Sequence, residues 1–273
     1  RDDYWHTQNL SLEDALVRIE RAPDADAIAK RFDFEAAYQK FVEELIDYQR
    51  MCGEMLFMPA QWDNIPRILF SDLLGYEAFL TLIGLYPDRV AKLIEASAAE
   101  AYLRNTVLAK AIEEGLYPHA VLFGEDICNQ RGPMISPDFL KRYYLPQLAH
   151  SLEPLLKVGC RPVWHSDGNI LPMVDMLIDC GIQGFQGFQT ECGVRLESLV
   201  GKRTSEGQKL LIFGPLSVAT ELTRLPPEQI KLRVRRAIEI CIENADLVIF
   251  TSNTINPDVP LENIYAMYEA LCD

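Results

Sequence analysis

From about residue 50 onward, short and continuously apolar runs alternate with longer amphipathic stretches, and this rhythm limits the fold more than any other feature of the sequence. The runs are 55–59 (MLFMP), 120–124 (AVLFG), 162–165 (PVWH), 182–188 (IQGFQGF), 210–214 (LLIFG) and 247–252 (LVIFTS). A strand that is apolar along its whole length is covered on both faces, as in a parallel sheet, although periodicity by itself does not separate such a strand from a short buried helical segment. Between the runs, 88–114, 137–157, 170–180, 227–244 and 260–271 read as helices. Ser136-Pro137 and Val259-Pro260 mark helix starts, and Gly115, Gly159 and Gly181 fall just past helix ends. Strands alternating with helices imply an α/β fold with right-handed crossovers. The pattern fits either an eight-unit barrel lacking one or two early strands or an open sheet. Residues 1–50 read as a helical N-terminal segment (12–21 and 34–50, joined by a linker-like 22–26). Residues 51–273 read as the α/β domain, within one compact whole.

In either architecture the ligand site gathers at the carboxyl ends of the strands, so the polar residues that follow each run are the candidates. Glu125 and Asp126 follow the run at 120–124, and His165, Asp167 and Asn169 end or follow the one at 162–165, just after Trp164. Gln189, Glu191 and Cys192 follow 182–188, and Ser252 and Asn253 close the last run. His165-Ser166-Asp167 is the sharpest motif. An imidazole and a carboxylate at i and i+2, where a strand breaks into a turn, can face one cavity and together suit zinc or a harder divalent ion. The same residues equally describe a strand-end histidine oriented by Asp167 before a Gly168-Asn169 turn. Glu125 and Asp126 could supply a general acid or base, since neighbouring carboxylates push one another's proton affinity up. A capped turn before Gly132-Pro133 is the alternative. His165, Asp167, Glu125 and Glu191 are the candidate metal ligands. Glu125, Asp126, His165 and Asn253 are the candidate catalytic groups, with Trp164, Asn169, Gln189 and Ser252 in contact with substrate.

Composition narrows the function. With 40 acidic against 26 basic residues, the formal charge is -14. The resulting field repels phosphate backbones and anionic bilayers, which argues against nucleic acid and membrane partners. Seven scattered cysteines, none in a CxxC pair, point to neither a disulfide framework nor a zinc finger, and the reduced cytoplasm is the default compartment. No apolar stretch reaches the roughly 20 residues of a membrane span. The opening Arg1-Asp2-Asp3-Tyr4-Trp5 lacks the basic and apolar regions of a signal peptide, and its start without methionine raises a truncated or processed N-terminus. The patterns GxGxxG, GxxxxGK[ST], GxSxG and HExxH are absent, which removes sequence support for dinucleotide, P-loop, serine-hydrolase and zincin chemistry.

Several longer stretches resemble one family. They are Gly124-Glu125-Asp126, Gly132-Pro133-Met134-Ile135-Ser136-Pro137, Tyr144-Leu145-Pro146, Trp164-His165-Ser166-Asp167-Gly168-Asn169, Phe213-Gly214-Pro215 and Pro257-Asp258-Val259-Pro260-Leu261-Glu262-Asn263-Ile264. In this order, over about residues 70–273, the chain resembles the uroporphyrinogen decarboxylase superfamily of porphyrinogen decarboxylases and cobalamin-dependent or corrinoid-linked methyltransferases. The resemblance implies a (β/α)8 TIM barrel whose first strand is not evident here.

The departures from that family's pattern are informative. The decarboxylases carry an arginine-rich N-terminal segment for the substrate carboxylates and an early aspartate for the pyrrole nitrogens. Arg1, Arg18, Arg21 and Arg31 lie instead in helical or linker sequence, and Asn253 stands where the decarboxylases look to have a histidine. In the zinc methyltransferases an HxC motif and a later cysteine hold the metal. Here His165 matches the histidine, Asp167 takes the first cysteine position and Asn253 the second. Oxygen donors in place of thiolates favour a harder or weaker metal site. The resemblance therefore implies a metal-assisted methyltransferase, with zinc the first candidate ion, acting on a methyl ether, amine or similar small molecule. Its methyl partner would be a corrinoid carried on a separate protein. The alternatives are a carboxy-lyase acting on a tetrapyrrole or other carboxylated substrate, and a non-catalytic small-ligand-binding barrel. Uncovered strand edges in an incomplete barrel favour a homodimer.

Overall fold

The computed structural model describes residues 9–55 and 58–272. The candidate strand at 55–59 includes Leu56 and Phe57, which lie outside the described residues. The chain divides into two compact units, one comprising residues 1–125 and 135–160 and the other residues 126–134 and 161–273.

The first unit is mainly helical: α1 (Leu12–Glu20), α2 (Ala25–Arg31), α3 (Phe34–Cys52), α4 (Ser71–Leu74), α5 (Tyr76–Leu85) and α6 (Pro87–Glu113) precede strand β1 (Ala120–Gly124). The first three helices start for the same reason. Ser11, Asp24 and Asp33 each accept the backbone N–H three residues on, which satisfies one of the donors that a helix start leaves orphaned. Asp24 thereby turns the linker expected at 22–26 into a helix start at Ala25. The 27-residue α6 is the spine of this unit, burying Val90, Ile94, Ala98, Ala101, Leu108 and Ile112 on one face. Its one fully buried amide, Asn105, donates to the carbonyls of Asn64 (2.9 Å) and Ser151 (2.7 Å) and accepts from the Asn64 amide (2.9 Å). A buried polar group so saturated costs little and fixes the register of the segments it joins.

The helix expected over 137–157 is present with an interruption. Helix α7 (Pro137–Phe139) passes through a π-helical turn at Leu140–Tyr144 into α8 (Leu145–Lys157). Pro146 explains the widening, because it has no N–H to donate and its ring would strike the carbonyl four residues back in a regular α-turn.

The second unit holds the parallel sheet. A two-residue hairpin, β2 (Cys128–Asn129) against β3 (Gly132–Pro133), is followed by β4 (Arg161–His165), α9 (Val174–Asp179) and β5 (Gly184–Gln186). Then come β6 (Leu211–Leu216), α10 (Pro227–Cys241), β7 (Asp246–Thr251) and α11 (Leu261–Glu269). Strands β4, β5, β6 and β7 lie side by side in that order and all parallel. Among the described residues the parallel strands do not close into a barrel. The register sets His165 opposite Gln186 and Gln186 opposite Phe213. Trp164, Phe185 and Ile212 are fully or almost fully buried on the sheet, as the apolar runs predict. A second cluster of Leu216, Val218, Leu222, Ile230, Val234 and Met267 seats α10 and α11. All seven cysteines are free thiols.

Candidate functional site

The polar residues that follow the strands of the second unit do meet. His165, the last residue of β4, points Nε2 at Asp126 Oδ1 (3.6 Å) and Asp167 Oδ1 (3.9 Å). Asp126 is held in place by the Asp167 backbone N–H, which donates to its Oδ1 at 2.8 Å. Asp167 is the most engaged group. It accepts from Gln189 Nε2 (3.0 Å) at Oδ1 and from Asn253 Nδ2 at both oxygens (2.9 and 3.1 Å). Gln189 closes the turn by accepting the Gly168 N–H at 2.8 Å. Burial, with the Asp126 charge next, pushes the Asp167 carboxyl above the usual carboxylate range, while His165 and the Asn253 hydrogen bonds pull it back.

The other nitrogen of His165 decides what Nε2 can do. Gln186 donates through Nε2 to the Thr251 carbonyl (2.5 Å), so the oxygen of its amide is the atom that meets His165 Nδ1. Nδ1 must therefore be the donor in that contact, and in the neutral ring Nε2 carries the lone pair. That lone pair would face two carboxylates, an arrangement that is favourable only with a cation among the three groups, either a proton on Nε2 or a metal ion.

The geometry fits a metal. One ligand atom each from Asp126, His165 and Asp167 lies within 4.8 Å of the others. Two bonds of about 2.1 Å to a common ion span up to about 4 Å, so only a small closure is needed. One imidazole and two carboxylates form a nitrogen–oxygen donor set, harder than a thiolate site.

Close backbone approach makes the cluster compact. Gly187 has φ +101°, and a Cβ there would lie 2.6 Å from the Ser166 carbonyl oxygen and 3.3 Å from His165 Nδ1. At Gly168 (φ +81°) a Cβ would meet the carbonyls of Asn129 and Cys128 at 2.6 and 2.7 Å, so the β2–β3 hairpin can sit directly against the turn after Asp167.

The remaining candidates fall in different places. Glu125 accepts the backbone N–H groups of Ile68 (2.8 Å) and Leu69 (2.9 Å) within the first unit. Glu191 accepts from Ser217 Oγ (3.0 Å) and Thr220 Oγ1 (3.5 Å). Ser252 is buried, with Oγ accepting the Val218 N–H at 3.0 Å. Asn169 caps its own turn by accepting the Leu171 N–H (3.2 Å), and Trp164 is fully buried in β4. A cavity of about 410 Å³ is lined by Gln189, Glu191, Arg224, Ser252, Asn253 and Asp258 among others. It shares with the metal cluster the two amides, Gln189 and Asn253, that grip Asp167. Gln186 is the functional residue that sequence reasoning missed. Its signal was a polar side chain inside the run 182–188, in the one register position opposite His165.

Fold and site together define an α/β protein with a metal-type cluster and an adjoining cavity at the carboxyl ends of parallel strands, the place where such folds carry their chemistry. The signature of the uroporphyrinogen decarboxylase (URO-D) family matches residues 66–273, and the chain belongs to that family. Its fold class is accordingly that of the TIM-barrel α/β proteins. A methyltransferase from Methanosarcina mazei of known structure is similar in fold, with TM-score 0.52 and 20% sequence identity. The similarity covers 73% of this chain and 54% of the methyltransferase, so the chain spans about half that protein's length. No curated protein sequence matches this one. No helix among the described residues is long and apolar enough to cross a membrane.

Proposed function

We propose that this URO-D family protein is a metal-assisted methyltransferase, moving a methyl group between a small methyl ether, amine or similar substrate and a corrinoid carried on a separate protein. The observation that carries the reading is the convergence of Asp126, His165 and Asp167, with a tautomer that turns the His165 Nε2 lone pair into the cluster. The methyltransferase fold neighbour supports the choice of reaction class.

A divalent ion held by His165 Nε2 and the carboxylates of Asp126 and Asp167 would supply Lewis acidity toward the heteroatom that bears the methyl group. The chain's own groups do the positioning. Gln186 fixes the imidazole, and Gln189 and Asn253 fix the Asp167 carboxylate, so the ligands need little reorganisation. Glu191, oriented by two hydroxyls, and Asn253 bound the adjoining cavity, which has room for a small substrate. Glu125, tied to backbone, is better placed as a structural support of its own unit than as a ligand.

Elemental analysis of protein purified without chelator, before and after incubation with zinc, cobalt or manganese, tests the reading. About one equivalent of metal in the wild type and its loss in His165→Ala are expected, since the imidazole is the only nitrogen donor of the set. A wild-type protein that takes up none of the three ions even in excess overturns metal-assisted methyl transfer and favours a metal-free lyase or a binding barrel.

A further inference from the structure

A second cavity in the same unit, of about 480 Å³, has a different character. It lies between the end of β6, the segment at 190–197 and the second half of α10, and its walls include Arg195, Arg233 and Arg236 with the hydroxyl residues Thr190 and Thr220. In a chain whose formal charge is -14, gathering three guanidinium groups on one cavity runs against the overall composition.

Three carboxylates, Glu197, Glu221 and Glu239, accompany the three guanidinium groups, but the pairings leave N–H donors of the forks unused. Arg195 is exposed, and its side chain has no ion pair or hydrogen bond among the described residues. Among the described residues Arg236 pairs only with Glu239, at 3.4 Å across an open surface where both side chains are about two-thirds exposed (65% and 67%), a contact worth little. Arg233 meets the largely buried Glu221 through Nε at 3.3 Å, which leaves the two terminal nitrogens of its fork unused by that pair. Arg233 and Arg236 are one helical turn apart on α10, so their like charges are neighbours and repel. Glu197 on the cavity wall offsets part of this charge, and Glu221 is already committed to Arg233 and to the Ser217 N–H (2.9 Å). Thr190 Oγ1 stands 3.4 Å from Thr220 Oγ1, whose single proton is directed to Glu191 or Ser217, so Thr190 is the hydroxyl that can turn its proton to an oxyanion.

We infer that this cavity is a binding site for a small polyvalent oxyanion, a di- or tricarboxylate or a pyrophosphate-like group, gripped by the forks of Arg195, Arg233 and Arg236. Planar guanidinium groups suit this ligand class because each offers paired N–H donors that match two oxygens. The inference does not depend on the methyl-transfer reading, because it uses none of the metal-cluster residues.

Titration calorimetry of the full chain with citrate and with inorganic pyrophosphate, at low and at physiological ionic strength, tests it and distinguishes the two sources of the same oxyanion chemistry. Saturable binding of at least one anion is expected, weakening as salt screens the guanidinium groups. Arg195→Ala and Arg236→Ala should each lower the affinity roughly tenfold, as loss of a charge-assisted contact does. These are exposed positions whose truncation leaves folding intact. Arg224→Ala, on the wall of the other cavity, should bind as the wild type does. No saturable binding of either anion, unchanged affinity in both cavity variants, or an equal loss in Arg224→Ala overturns the assignment.

Discussion

Asn253 places one amide nitrogen between the two oxygens of Asp167, at 2.9 and 3.1 Å. The resemblance to the zinc methyltransferases would put thiolates at these two positions; here they are a carboxylate and the donor that restrains it.

Asn253→Ala removes both contacts and leaves Asp167 held by Gln189 alone. Because Asn253 is exposed, the expected loss of stability is modest, about 1 kcal/mol in denaturant titration. The larger effect is on metal affinity, a fall of about tenfold for a ligand no longer oriented, read by competition with a fluorescent chelator. Stability and affinity that both match the wild type would show that the pair is incidental.

Gln186→Leu would leave His165 Nδ1 and the Thr251 carbonyl without their amide partner in a buried setting. A destabilisation of about 2–3 kcal/mol is expected, the usual result of stranding buried polar groups. NMR of the ring nitrogens provides the sharper readout. The wild type should show protonated Nδ1 when the ring is neutral, and the variant a mixture of tautomers.

Gly187→Ala tests the close packing of β5 against the end of β4. The added methyl would lie 2.6 Å from the Ser166 oxygen in a backbone conformation that L-residues avoid. The expected cost is about 1–3 kcal/mol, visible as a lower Tm. Gly193→Ala is the control, since its φ of +83° is also left-handed but a Cβ there meets nothing within 4 Å. A Gly187 variant no less stable than this control would show that the contact yields cheaply.

Thiol reactivity should order the cysteines by burial. Burial raises Cys241 and Cys180 to about 11, with the nearby Glu197 and Asp179 charges adding to the rise. A raised pKa means less thiolate at any given pH below it, so both should resist iodoacetamide at pH 7–8 and react only as pH approaches that value. Cys272, exposed, should be modified first. Mass spectrometry of labelled peptides measures the order, and early labelling of Cys241 would contradict it.

The strands were legible because burial on both faces leaves an uninterrupted apolar run, and 120–124, 162–165, 210–214 and 247–252 correspond to β1, β4, β6 and β7 within one or two residues. Histidine and aspartate at the end of β4 were legible for a related reason, since polar groups that interrupt such a run mark its carboxyl end. Helices α4 and α5 were not, because 71–85 is short, broken by Gly75 and mostly apolar, so it carries no clear period. The π-turn inside 137–157 depends on how Pro146 is accommodated, which a pattern of apolar positions does not encode. Among the site residues, Asp126 was recognised as a possible acid or base, whereas its meeting with His165 depends on where the β2–β3 hairpin returns the chain. Gln186 was hidden by its neighbours, one amide within a hydrophobic run that acquires meaning only when strand register sets it beside His165.

The contacts of Gln186 and Asn253 also bear on curvature. Strands β4 and β7 are separated by β5 and β6, and at about 4.8 Å per strand a flat sheet would hold them roughly 14 Å apart. Yet Gln186 at the end of β5 reaches the Thr251 carbonyl at the end of β7, and Asp167 just beyond β4 touches Asn253 just beyond β7. Side chains this short meet only if the four strands bend into an arc whose concave side holds them. The polar cluster thus acts as a bowstring across that arc, and severing it should let the sheet relax toward a flatter form at the very place where ligands are brought together.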